Sequence, residues 1–266
     1  MTVPREPTRE ISRQAFLRAA AGALAAGTVF GSVRATADPK TSGWPQPNGP
    51  TGSFTLVFDD EFSGTTLNSA YWNDTAVGWG NSLNGVTALA SNVSVNNGLT
   101  LTLSDESHGA CINTDPRGGA NPGFTFNEGI VEAKVYFPGN GTECYNFGAW
   151  WTTCIGVWPA QGENDIAECL SGTVQVHVLD NNNPGGGENA GYMGGAYHIF
   201  TLQRTATNSI FWYDGVEIAN IATSQNAATS PHYLVLNIGN NSDGGPVMTG
   251  SAGALLVDYV RAWTVA

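Results

Sequence analysis

Beyond residue 53 the chain is cut into short apolar or β-branched runs separated by turn clusters, and no stretch after the first 37 residues sustains a helical period. The runs fall at 54–58, 93–95, 99–103, 130–137, 147–152, 165–170, 173–179, 198–203, 209–213, 233–238 and 254–263, punctuated by Asn-Gly, Asp-Gly and Gly-Gly pairs. Segments this short cannot each be a stable helix, whereas paired side by side they make sheets. The pattern predicts an all-β sandwich or barrel. Composition agrees: 34 glycines suit frequent turns, 8 tryptophans supply aromatic platforms, and charged residues are only 12% of the 266.

Residues 1–37 read as an export signal. Arg5, Arg9 and Arg13 precede an apolar run from Ala19 to Phe30, and Ala35-Thr36-Ala37 offers an A-x-A cleavage site, so that Asp38 would begin the mature chain. The apolar run is shorter than the roughly 20 residues that span a bilayer. Ser12-Arg13-Gln14 resembles a twin-arginine signal, with Gln14 in place of the second arginine, which leaves the export route open. Residues 38–53 are rich in Pro, Gly, Ser and Asn and are expected to form a flexible linker. Residues 54–266 then form one domain, expected to be secreted and monomeric.

The chain has 22 acidic and 10 basic residues, and five of its arginines lie in the first 37 residues. The remainder is strongly acidic, which argues against a nucleic-acid or anionic-membrane partner because little is left to neutralise phosphates. Cys111, Cys144, Cys154 and Cys169 lack zinc-ligand spacing. In an oxidising compartment at least one disulfide is expected among them, with the pairing open.

In this charge-poor chain, Glu163, Asp165 and Glu168 form an E-x-D-x-x-E pattern. In a regular strand Glu163 and Asp165 share a face, and Glu168 points to the other. One extra residue near Ile166 and Ala167 would restore the parity and gather all three acids on one surface. Crowded carboxylates raise at least one pKa, so one can hold a proton while another stays ionised. Glycoside hydrolysis needs that division of labour, with two carboxyl groups about 5–5.5 Å apart in retaining enzymes.

The ordered motifs Phe58-Asp-Asp-Glu61-Phe62, Leu67-Asn-Ser-Ala-Tyr-Trp72, Glu128-Gly-Ile-Val-Glu132-Ala-Lys134, Ala149-Trp150-Trp151, the acidic strand, Trp212-Tyr213-Asp214-Gly215, Tyr233-Leu-Val-Leu-Asn237 and Val257-Asp258-Tyr259-Val260-Arg261 resemble glycoside hydrolase family 16, in its bulged, laminarinase-like branch. The resemblance spans nearly all of the chain after the leader. It implies a β-jelly-roll of two curved antiparallel sheets with a cleft along the concave face. Matched residue by residue, Glu163 would be the nucleophile, Asp165 the residue that tunes the cluster and Glu168 the general acid/base. Hydrolysis of a β-1,3- or β-1,3-1,4-glucan follows as the expected activity, needing no catalytic cofactor. A transglycosylase or a non-catalytic glucan-binding lectin on the same scaffold is the alternative.

Trp158 matches a cleft-lining tryptophan of that branch, and its ring could stack on the C–H face of a sugar. Trp151 matches another such position or belongs to the core, since adjacent Trp150 must face the opposite way. His177 is expected to reach the cleft or to be structural. Trp79 is a weaker loop candidate. A convex-side structural calcium is the family's further implication, with Glu61, the Gly98 carbonyl and Asp258 as matching oxygen ligands. Four departures bear on the substrate: Asn164 where an aliphatic residue is usual, Lys134 for arginine, Arg204 for tryptophan, and no tryptophan in the glycine-rich stretch after Asn237.

Overall fold

The computed structural model describes residues 45–75, 82–117, 123–240 and 243–265. The leader, residues 38–44 of the linker and Trp79 lie outside the described residues. The strands, in chain order, are β1 (Phe54–Asp60), β2 (Ser82–Leu83), β3 (Val86–Ala88), β4 (Val93–Val95), β5 (Leu99–Leu101), β6 (His108–Asn113), β7 (Thr125–Phe126), β8 (Gly129–Tyr136), β9 (Phe147–Cys154), β10 (Glu163–Leu170), β11 (Thr173–Leu179), β12 (Pro184–Gly191), β13 (Tyr197–Arg204), β14 (Asn208–Tyr213), β15 (Val216–Ala222), β16 (His232–Gly239) and β17 (Leu255–Val265). One short helix, α1 (Gln225–Thr229), is capped by the Ser224 side chain. No helix among the described residues is long and apolar enough to cross a membrane.

The strands form the two sheets of a β-jelly-roll sandwich. The outer sheet runs β15-β14-β13-β8-β17-β5-β4, with β1 also paired to β17. The inner sheet runs β12-β11-β10-β9-β16-β6-β3-β2, with β7 also on β16. All pairs are antiparallel except β3 with β6. Between the sheets lies one apolar cluster, in which Val131, Ala133, Val135, Phe200 and Phe211 of the outer sheet meet Trp150, Ile166, Val176, Leu234 and Leu236 of the inner. Alternate residues of the regular strands supply it, as the period-two pattern requires.

Sharp hairpins set the register. Between β10 and β11, Ser171 and Gly172 both take positive φ, +49° and +77°. Two successive left-handed residues make the type I′ turn whose twist matches its flanking strands, and glycine holds such a φ without strain. This turn pairs Leu170 with Thr173 and Glu168 with Gln175, and so determines what faces the acids.

The linker expectation needs correction at its C-terminal end. Asn48 N donates to Glu132 Oε2 at 2.6 Å, Trp263 Nε1 donates to the Pro45 carbonyl at 2.9 Å, and Pro47 is buried. Residues 45–48 are thus anchored on the outer sheet, because Glu132 and Trp263 present polar groups that composition alone could not reveal. The disulfide expectation is also corrected: all four cysteines are free, buried thiols.

Candidate active site

Strand β10 carries the acids at the middle of the inner sheet. Against β9, Asp165 pairs with Trp151, but the next pair is Ala167 with Trp150, so Ile166 is an extra residue. Against β11 the register slips by one between Asp165 and Glu168. Ile166 and Ala167 consequently both enter the inter-sheet core. Asp165 and Glu168, three apart, emerge on the same opposite face as Glu163. Without the slip, His177 would lie opposite Ile166; with it, His177 lies opposite Asp165.

The acids are withdrawn from bulk water, with relative exposures of 0% for Glu163, 1% for Asp165 and 3% for Glu168. Ionised carboxylates so placed need compensating neighbours. Trp158 Nε1 donates to Glu163 Oε2 at 3.1 Å. His177 Nδ1 lies 3.2 Å from Glu168 Oε2, within ion-pair distance when the imidazole is protonated but outside hydrogen-bond alignment. One polar atom from each of Asp165, Glu168 and His177 falls within 4.8 Å of the others. Two carboxylates and an imidazole at such distances could hold a divalent metal, and they could equally pass a proton among themselves.

Trp151 does share the acids' face, beside Asp165, while Trp150 is in the inter-sheet core. As a platform for sugar stacking, however, Trp151 is corrected. It is 1% exposed, packs with Phe147, Tyr233 and Val235, and donates from Nε1 to Asn237 Oδ1 at 2.7 Å. It forms the floor under the acids, whereas half-buried Trp158 presents the accessible ring.

Behind Glu163, on the core side of β10, Asn164 occupies its unusual position as a hydrogen-bonded amide. Ser209 Oγ of β14 donates to Asn164 Oδ1 at 2.5 Å, and Asn164 Nδ2 approaches Thr152 Oγ1 at 3.5 Å and His232 Nδ1 at 3.4 Å. Burial and the nearby Arg204 hold the His232 imidazole well below its usual pKa, so it is neutral. Arg204 is buried too, and loss of hydration pushes its pKa down to about 9. Its Nη2 donates to the Ala227 and Ser230 carbonyls at 2.6 and 3.2 Å. The two departures, Asn164 and Arg204, line the same small pocket with Ser209 and Thr223. Sequence reasoning missed this pairing, because 40 residues separate the two positions.

The segments that carry the proposed calcium ligands do meet: Gly98 N donates to Phe62 O at 3.0 Å, and Leu99 pairs with Val257. Yet each donor already has a partner. Arg261 Nη2 sits 2.6 Å from Glu61 Oε1, Lys134 Nζ sits 2.7 Å from Asp258 Oδ2, and the Gly98 carbonyl accepts from Asn96 N at 3.0 Å. Arg261 and Lys134 would therefore compete with calcium for these carboxylates, although each carboxylate keeps a second oxygen. Lys134, a departure from the family's arginine, is one of those competitors.

Fold and site together define a two-sheet β sandwich with a row of buried carboxylates on one sheet face, and comparison with known proteins narrows that class. No family model matches the chain. It is similar to glucan endo-1,3-beta-glucosidase A1 of Niallia circulans, 26% identical over 260 residues, which cover 78% of this chain and 37% of that protein. The chain thus spans well under half the length of this relative. Among solved structures it resembles an endo-beta-1,3-glucanase from Pyrococcus furiosus, with a TM-score of 0.64, 21% identity and coverage of 80% of this chain and 95% of the other. It also resembles a non-specific endo-beta-1,3(4)-glucanase from family GH16, with a TM-score of 0.69, 20% identity and coverage of 83% and 95%. At these identities the solved structures establish a shared fold.

Proposed function

We propose that the protein is a retaining endo-glycosidase of glycoside hydrolase family 16 acting on β-1,3- or β-1,3-1,4-glucan. The observation that carries this reading is the bulge at Ile166, which spends regular strand pairing to put Glu163, Asp165 and Glu168 on one buried face. Other strand pairs also carry register shifts, but this one gathers three acids on one face. The activities of the similar proteins agree, and a variant of the non-specific glucanase presents 1,3-beta-D-cellobiosyl-glucose at its active site.

In this mechanism Glu163 attacks the anomeric carbon while Glu168 protonates the departing glycosidic oxygen. Glu168 then takes a proton from water as that water releases the sugar from Glu163. Trp158 Nε1–H orients the Glu163 carboxylate and offers its ring to the adjacent sugar. His177 adjusts the charge at Glu168, and Asp165, between the two glutamates, keeps their protonation states apart. The chain would be exported, with the leader removed after Ala37.

The test offers the full chain, with its leader processed, a panel of soluble β-glucans, agarose, carrageenan and xyloglucan. Laminarin or mixed-linkage glucan should release oligosaccharides fastest. Activity confined to one of the other three would overturn the substrate assignment.

A further inference from the structure

We infer that Tyr213, on the opposite sheet, is the positioning residue that holds the β10 bulge and thereby sets the spacing of the catalytic glutamates. The inference rests on the glycosidase reading above and adds a residue that reading does not use.

Tyr213 ends β14 in the outer sheet and is 4% exposed. Its ring stands edge-on to Phe200, with centroids 4.6 Å apart, inside the inter-sheet core. From there its hydroxyl crosses the sandwich and donates to the Ile166 carbonyl at 2.8 Å. Ile166 is the inserted residue of the bulge. A bulge disrupts the local ladder, so the backbone there is the part of the strand least held by its neighbours. A hydrogen bond to its carbonyl from another sheet supplies a fixed external reference, and in a low-dielectric core such a bond is strong and costly to lose. Burial, together with the nearby charges of Glu168 and Asp165, pushes the phenol well above its usual pKa, so it stays a donor throughout the working pH range.

The geometry makes the consequence specific. Asp165 and Glu168 flank Ile166 and Ala167, and their side chains leave the strand on the far side from Tyr213. The phenol therefore has no route to substrate and acts only through the backbone between the acids. If the bulge relaxes, Glu168 moves relative to both Glu163 and His177. Ser209, four residues earlier on β14, also reaches β10, at Asn164, so one outer strand grips the acidic strand on its core side at two points.

The test is Tyr213→Phe, which removes one oxygen and keeps the ring in its contact with Phe200. The control is Tyr259→Phe, which removes another buried phenol bond, to Glu132 Oε1 at 2.9 Å, away from the acids. Tyr213→Phe should lower kcat on laminarin by about 10- to 100-fold with KM changed less than about twofold, as expected when reacting groups are misplaced but binding is kept. Tyr259→Phe should lower the melting temperature comparably without that loss. A second readout needs no turnover: the NMR ring signals of His177, which faces Glu168 from β11, Asp165 across the register and Gly187 on β12, should change position at fixed pH in Tyr213→Phe and not in Tyr259→Phe. Wild-type kcat together with unmoved His177 ring signals would overturn the inference, as would equal kcat losses in the two variants. A wild-type protein inactive on every glycan would instead defeat the glycosidase reading, and the His177 ring signals would still decide whether Tyr213 holds the bulge.

Discussion

Two groups of three acids, one on each sheet, are treated in opposite ways. On the outer sheet Asp59, Glu61 and Asp258 remain partly exposed and are matched by Arg261 and Lys134. On the inner sheet Glu163, Asp165 and Glu168 are almost fully buried, and they meet an indole N–H and an imidazole. The first arrangement is a screened surface network of modest energetic value. The second opposes folding, since like charges are crowded in a region of low dielectric, and it persists because a bulge and a cross-sheet hydrogen bond hold it. Acids placed against the local energetic preference are the ones to suspect of chemistry.

The contrast is broken most directly by removing acids from the inner group. Glu163→Ala and Glu168→Ala should each lower kcat by about 10⁴-fold or more on natural glucan. Added azide then separates their roles. With an activated substrate, Glu168→Ala should yield a β-glycosyl azide, because the nucleophile still forms the covalent intermediate. Glu163→Ala should yield the α-glycosyl azide by a single inversion. Swapped anomers would exchange the two roles. By comparison, Glu61→Ala should leave kcat close to wild type.

A smaller effect is expected at Trp158. Trp158→Ala should raise KM by about 10-fold through loss of a stacking surface. Trp158→Phe should restore much of the KM while leaving kcat lowered, because the bond to Glu163 Oε2 is still missing. Steady-state kinetics separate stacking from orientation: equal KM values in the two variants would show that the ring adds nothing, and a wild-type kcat in Trp158→Phe would show that the indole N–H contributes nothing.

The two sheets should also respond to pH with opposite slopes. His232, behind Glu163, has a folded pKa depressed by burial, so its contribution to stability is present above the unfolded value of about 6.5 and is lost as pH falls below it. Asp59, on the outer sheet, is raised to about 6 by burial and then by Glu61, so its contribution is present below the ordinary value of 3.8 and is lost as pH rises through about 6. Urea unfolding at a series of pH values should show His232→Gln flattening the acid-side loss and Asp59→Asn flattening the loss between pH 4 and 6. Unchanged profiles would mean that neither group is desolvated as described.

The smallest effect concerns metal. Because Arg261 and Lys134 already engage Glu61 and Asp258, adding calcium or a chelator should move the melting temperature by less than about 2 °C, as binding that competes with two resident cations contributes little. A larger stabilisation by calcium would show that the outer acids can exchange their partners.

The sequence by itself determined the sheet architecture and set three acids within six residues of one strand. Short runs with Gly-containing turns admit only sheets, and the E-x-D-x-x-E spacing forces a bulge if the acids are to act together. Those are local properties, carried by periodicity and by steric limits on φ. The fate of each aromatic and each acid was decided only in the tertiary structure. Trp151 and Trp158 are indistinguishable as letters, but Asn237, 86 residues beyond Trp151, buries one of them as floor. Glu61 and Asp258 read as calcium ligands until Arg261 and Lys134 arrived from other strands. Tyr213 lay in a motif whose spacing says nothing of Ile166, 47 residues earlier. Each of these outcomes is a contact between distant segments. Sheet packing brings such segments together, and no local pattern encodes which polar atom will be waiting there.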